Sequence, residues 1–126
     1  MGKIVYPELS YKIVGILYKV FNELGSGLQE NIYQRAVKMA LQKEKVQFLE
    51  QVRFDIELYG KFVGRYFIDF IVENKIALEL KSKKSLYRND IRQVFGYLKR
   101  SGLELGLLAR FGTNGVEIKR ILKGFK

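Results

Sequence analysis

Tyr66 to Lys84, YFIDFIVENKIALELKSKK, is the stretch that most narrows what this chain can become. Two apolar runs are joined by a short polar turn, Glu73-Asn74-Lys75, and three charged residues, Asp69, Glu79 and Lys81, are set into them. Strands this apolar are central and buried, because every second side chain has to meet a core. Two carboxylates and an ammonium are costly there unless they pair with each other or hold a cation. A lone salt bridge, or a strand edge where Lys81 reaches water, would satisfy them. So would a metal site in which two carboxylates grip a divalent ion with a lysine beside it.

Pleat geometry separates these readings. Glu79 and Lys81 are two apart and share a strand face. Asp69 joins that face when it stands opposite Glu79 or is displaced from it by an even number of residues. Opposition pairs Val72 with Ile76 and leaves Glu73 to Lys75 as a three-residue loop, a common hairpin connection in which Asn74 tolerates the left-handed conformation. A two-residue loop would put the carboxylates on opposite faces. The site reading therefore predicts the loop.

A chain of 126 residues is expected to form one domain, residues 1–126, with a sizeable core. Nearly half the residues are hydrophobic, with eight Tyr and nine Phe, which argues against disorder. The absence of cysteine excludes a disulfide framework, a thiolate metal site and a cysteine nucleophile. The absence of histidine removes the commonest general base and the commonest zinc ligand. A metal here is held by oxygen, which points to Mg²⁺ or Mn²⁺. No apolar run is long enough to span a bilayer, and MGKIVYPELS lacks the apolar core of a signal peptide, so a soluble, cytoplasmic protein is expected. The net charge of +10 favours a polyanionic partner, nucleic acid before a membrane surface.

Along the chain, Ser10 to Leu24 carries apolar residues at helical spacing, with Ser10 as the expected N-cap and Gly25-Ser26-Gly27 as the stop. A second helix is expected from about Leu28 to Lys45, with Glu30 in its first turn, where the helix dipole favours a carboxylate. From Val46 the period becomes two, predicting a strand through Phe48, Val52, Phe54, Ile56 and Leu58, a turn at Tyr59-Gly60-Lys61, and a strand from Phe62 to Val72. After the hairpin, Ser82 to Tyr87 is a basic linker. Arg88 to Arg100 reads as a helix burying Ile91, Val94, Phe95 and Leu98, stopped near Gly102. Leu103 to Ala109 makes a strand, and Gly112 to Gly115 turns the chain into Val116–Leu122, a short strand or helical end. The expected class is α/β, a central mixed β-sheet flanked by α-helices.

On the last helix, Gln93 and Tyr97 are four apart and share a face. Taken singly, Tyr97 reads as an amphipathic core residue and Gln93 as a solvated one. Beside Asp69 and the E-x-K of Glu79-Leu80-Lys81, the pair is less ordinary. Gly27-Leu28-Gln29-Glu30-Asn31-Ile32-Tyr33 matches the G-x-x-E-x-x-Y signature of the GxxExxY proteins. From about Leu9 to Ile121 the chain resembles that family, which is assigned to the PD-(D/E)xK nuclease superfamily with its restriction-endonuclease-like core. Gln93 to Tyr97 corresponds to the Q-x-x-x-Y of RecB-like nucleases. Ile68 stands where the superfamily name has proline, at a position that varies widely.

The resemblance implies a metal-dependent nuclease acting on DNA phosphodiester bonds. In it, Asp69, Glu79 and the Leu80 carbonyl would ligate Mg²⁺ or Mn²⁺, with Glu30 completing the shell directly or through water. The ion would lower the pKa of a water and offset charge on the scissile phosphate. Lys81 would orient the attacking water or stabilise the transition state. Gln93 would position Lys81 or a water on the ion, and Tyr97 would touch the phosphate backbone. Lys83, Lys84, Arg88 and Arg92 would hold flanking phosphates or else form a solvated surface. A binding module that no longer cuts, such as an accessory subunit, and a Holliday-junction resolvase are the alternatives. A homodimer would suit two-strand cleavage, because one small domain makes one cut.

Overall fold

The computed structural model describes residues 5–124; the first four residues of the N-terminal stretch considered above, and the last two of the chain, lie outside the described residues. The elements are α1 (Pro7–Leu24), α2 (Glu30–Lys43), β1 (Phe48–Leu58), β2 (Lys61–Val72), β3 (Ile76–Lys81), α3 (Arg88–Ser101), β4 (Leu105–Phe111) and β5 (Val116–Leu122). The strands form one mixed sheet in the order β1-β2-β3-β4-β5. Only β3 and β4 run parallel, joined by the α3 crossover. The expected α/β architecture of a restriction-endonuclease-like core is what forms. No described helix is long and apolar enough to cross a membrane.

Several boundaries differ from those read off the sequence, each for a local reason. Helix α1 starts at Pro7, whose fixed φ suits the first turn, so Ser10 is not its N-cap. The Ser10 hydroxyl instead donates to the Pro7 carbonyl at 3.2 Å inside that turn. Helix α2 begins at Glu30, because Gly25 to Gln29 form the connection, with positive φ at Gly25 and Gly27. Strand β4 begins at Leu105, opposite Ile76: Gly102, in the left-handed region, ends α3, and Leu103 and Glu104 lead back to the sheet. Val116–Leu122 is a strand, antiparallel to β4.

Two apolar layers sandwich the sheet. On one face α1 and α2 pack Ile13, Leu17, Tyr33, Val37 and Leu41 against Phe70, Leu78, Leu80, Leu107 and Ala109. On the other, α3 packs Val94, Tyr97 and Leu98 against Ile71, Ala77, Leu108 and Ile121. Gly106 permits the close approach of α3, since a Cβ there would come within 2.5 Å of Val94 Cγ1.

The hairpin between β2 and β3 has the three-residue loop. Val72 pairs with Ile76, the Lys75 N–H donates to the Val72 carbonyl at 2.9 Å, and Glu73 and Asn74 have positive φ. Upstream, β1 and β2 change faces together. Phe48 and Phe70 meet edge-on in the α1/α2 layer, whereas Val52, Phe54 and Ile68 join the α3 layer. The irregularity falls between the pairs Glu50–Phe70 and Val52–Ile68, where Gln51 has φ +51° and Asp69 lies across from it. Asp69 is thus placed where the sheet's alternation breaks.

Candidate active site

The β2–β3 ladder covers only Phe70–Leu78, Ile71–Ala77 and Val72–Ile76. At the next position the strands part, and side chains take over the backbone hydrogen bonds. The Asp69 N–H donates to Glu79 Oε1 at 3.0 Å, while the Leu80 N–H donates to Asp69 Oδ2 at 2.8 Å. Each buried amide is satisfied by the opposite strand's carboxylate, as buried backbone donors must be. Both carboxylates are 4% exposed. They stand opposite one another, as the loop length requires.

Lys81 completes the cluster from the same face of β3 as Glu79. Its Nζ lies 3.5 Å from Glu79 Oε2 and 4.0 Å from Asp90 Oδ1. Asp90, in the first turn of α3, had no part in the sequence reading. It is buried, accepts from the Tyr87 N–H at 2.8 Å, and pairs with Lys83 at 2.7 Å. Burial pushes the Asp90 carboxyl up, but the hydrogen bonds from Lys83 and the Tyr87 amide outweigh it and hold it below the ordinary carboxylate value. Asp90 therefore stays an anion next to Lys81.

Helix α2 supplies the third side of the site. Glu30 lies in its first turn, and Gln34, one turn on, donates to Asp69 Oδ1 at 2.8 Å and to Glu30 Oε2 at 3.5 Å. Gln51, at the irregular position of β1, donates to the same Asp69 oxygen at 3.1 Å. Neither glutamine was singled out from the sequence. The i, i+4 spacing of Glu30 and Gln34 was the available signal for one; Gln51 left none, because its role depends on a backbone irregularity. Tyr33 is fully buried and stacks on Phe111 at 4.1 Å. Its hydroxyl donates to the Gly25 carbonyl at 2.6 Å and accepts from the Leu28 N–H at 3.4 Å. Ser82, next to Lys81, donates to the Leu28 carbonyl at 2.6 Å. The last residue of the G-x-x-E-x-x-Y stretch thus pins the turn that delivers Glu30, and β3 is tied to the same turn.

The remaining expected site residues divide. Gln93 is half-buried on α3, one turn beyond Asp90. Tyr97 is 7% exposed and packs edge-on against Phe54 at 5.0 Å in the α3 core. It has the amphipathic core packing that its helical position by itself suggests. Burial pushes its phenol up, against a hydrogen bond with Ser101. Lys83, Lys84, Arg88 and Arg92 are exposed. Lys83 reaches the cluster through Asp90, and Arg92 lies on the far side of α3 beside Ile121 and Leu122.

The cluster carries negative charge that the protein alone offsets poorly. Burial and the neighbouring Asp69 charge push Glu79 up to about 8, against the attraction of Lys81 and the Asp69 amide. Asp69 is also raised, first by burial and further by Glu30, despite hydrogen bonds from Leu80 and Gln51 and the charge of Lys81. An all-oxygen set with surplus negative charge fits a hard divalent ion. Among the described residues, no three His, Asp or Glu side chains converge to hold an ion between them. Two carboxylates and a neighbouring backbone carbonyl are accordingly the protein donors such an ion would find.

The comparisons with known proteins bear on the fold and the family. No curated protein matches the chain. The fold is similar to that in the crystal structure of SSO0001, with a TM-score of 0.61 at 18% identity. The likeness covers 76% of this chain and 50% of that one, so this chain spans half of its length. Residues 7–121 match the PD-(D/E)XK nuclease superfamily model. That match runs from the start of the first helix almost to the end of the last strand, and by it the chain belongs to the PD-(D/E)XK nuclease superfamily.

Proposed function

We propose that this protein is a metal-dependent deoxyribonuclease built as one nuclease-like domain, residues 1–126. PD-(D/E)XK nucleases in general use divalent metal ions and act on nucleic acid. The observation that carries the reading for this chain is the opening of the β2–β3 ladder at Asp69 and Glu79. It places two buried carboxylates opposite each other with the Lys81 ammonium 3.5 Å from the second. Mg²⁺ or Mn²⁺, held by Asp69, Glu79 and the Leu80 carbonyl, would supply Lewis acidity toward the phosphodiester and toward water.

The side chains do the rest. Lys81 is a compact cation held beside the carboxylates by Glu79 and Asp90, suited to meeting charge that develops on the phosphoryl oxygens or to orienting the attacking water. Gln34 and Gln51 fix the Asp69 carboxylate from two sides and leave its orientation little freedom. Glu30 acts through water, one hydrogen-bonded amide away from Asp69. Gln93 positions water or Lys81 from α3. Lys83, Lys84, Arg88 and Arg92 meet flanking phosphates. The pinning of the turn before Glu30 by Tyr33 supports placing the chain with the GxxExxY proteins. The RecB-like subtype rests on the Gln93–Tyr97 spacing, with Tyr97 serving the core.

The test is cleavage of labelled single-stranded, duplex, flap and four-way-junction DNA with Mg²⁺, with Mn²⁺ and with EDTA, beside Lys81→Ala. Metal-dependent cutting that Lys81→Ala strongly reduces is expected. Preferential cutting of the junction by a dimer would identify a resolvase. Tight binding without cutting under either metal would leave a binding module on a nuclease fold.

A further inference from the structure

The hairpin of β1 and β2 continues beyond the site as a two-stranded ribbon, because β3 pairs with β2 only from Phe70 to Val72. A lone ribbon is marginal in water, and this one is anchored on one face. Phe54 packs against Tyr97 and lies tilted on Tyr66 at 5.6 Å. The opposite face carries a row of exposed side chains. Arg53 stands directly across from Phe67, and its guanidinium lies 6.0 Å from the centre of the Phe62 ring. Phe62 is 55% and Phe67 42% exposed, with Arg65 and Lys61 exposed nearby and Tyr59 at the tip.

We infer that this Phe62–Arg53–Phe67 strip is a stacking platform for the unpaired bases of single-stranded nucleic acid. Open aromatic faces interleaved with guanidinium groups take bases regardless of sequence. The strip also adjoins the site. Lys38 on α2 pairs with Glu50 at 2.6 Å, and Gln34, one turn earlier, reaches Asp69, so the N-terminal end of α2 with Glu30 points toward the ribbon. Phe67 is two residues from Asp69 on the same strand. A single strand on the ribbon is thereby led to the carboxylates, a consequence that rests on the nuclease reading; binding to the strip does not.

A second copy of the chain is the competing occupant, and the charges disfavour it. Closing this face against another protein would desolvate Arg53, Asp55 and Arg65, groups of a kind that interface cores exclude. A nucleic acid leaves them wet and meets cations in a chain of net charge +10. The Arg53–Asp55 pair, 2.8 Å apart and exposed on both sides, is weak and leaves the guanidinium free to be recruited.

The experiment measures binding of labelled oligo(dT), and of a labelled duplex of equal length, to the Lys81→Ala protein in EDTA, where nothing is cut. Adding Phe62→Ala and Phe67→Ala together should raise the dissociation constant for oligo(dT) about tenfold or more and that for the duplex by less than about threefold. Phe62→Tyr with Phe67→Tyr should restore it. The chain has no tryptophan, so Phe62→Trp supplies a single indole, excited at wavelengths where the eight tyrosines do not absorb, whose emission oligo(dT) should quench saturably. Unchanged oligo(dT) affinity, an equal loss on both DNAs, or absence of quenching overturns the inference. So does a dimer, seen by sedimentation, that the double alanine variant dissociates without loss of oligo(dT) binding. Failure of the nuclease reading would show separately, as quenching and tight oligo(dT) binding by a wild-type protein that cuts nothing with either metal.

Discussion

The side chain of Glu79 takes the backbone N–H of Asp69, while the side chain of Asp69 takes the N–H next to Glu79, that of Leu80. This crossed pair closes a sheet that has run out of ladder. It also holds two carboxylates at one point with little freedom to turn apart, which suits them to share a cation.

Lys81→Ala should leave the fold intact and lower cleavage about 10²–10³-fold, the effect of removing one positioned electrostatic donor. DNA binding should change much less, because Lys81 is one cation among 23 basic residues. Single-turnover rates beside filter-binding affinities separate the two. Cleavage equal to wild type would remove Lys81 from the chemistry.

Glu79 gives a pH dependence whose sign is fixed. Its ordinary value of 4.5 is raised to about 8, so between these values the metal-free folded protein holds a proton that the unfolded chain has released. Stability from this group is fully present below about pH 4.5 and is lost as pH rises through about 8. Asp69, also raised, acts in the same direction. Melts in EDTA should therefore show the wild type losing more stability than Glu79→Gln between pH 5 and 9. Added Mg²⁺ should stabilise the wild type more at pH 9 than at pH 6, because the ligands must be deprotonated to bind. Parallel pH profiles for the two proteins would contradict the assignment.

Gln34→Ala should weaken Mn²⁺ binding about tenfold or more, as happens when a group orienting a ligand is lost. The amide holds Asp69 Oδ1 and reaches Glu30. Gln34→Glu loses the same donor but adds a carboxylate beside Asp69 and Glu30, so it should bind Mn²⁺ more tightly than Gln34→Ala, the added charge attracting the ion. Titration calorimetry on both variants checks this; Gln34→Ala binding the ion as tightly as wild type would be incompatible with the orienting role.

Tyr33→Phe keeps the stack on Phe111 and removes only the hydroxyl contacts to Gly25 and Leu28. A loss of about 1–2 kcal/mol in urea denaturation is expected from the buried hydrogen bonds. Cleavage should fall with it, because the turn before Glu30 loosens. A stable variant of full activity would assign the tyrosine to packing alone.

Much of this molecule was legible in its residues. The period of two across β1 and β2, the helical spacing of α1, α2 and α3, and the stop at Gly102 specify the elements. Parity requires an odd loop, and direct opposition of Asp69 and Glu79 requires the three-residue one at Glu73–Lys75; that loop forms. Pattern of this kind records which face a side chain takes. It does not record where two strands separate, because that depends on hydrogen bonds between residues far apart in sequence. The opening at Asp69, the left-handed Gln51 beside it, and the convergence of Gln34 and Asp90 on the cluster were settled only when α2, β1 and α3 closed around the sheet. Tyr97 shows the same division: its spacing from Gln93 is a property of the sequence, and its burial against Phe54 a property of the packed fold.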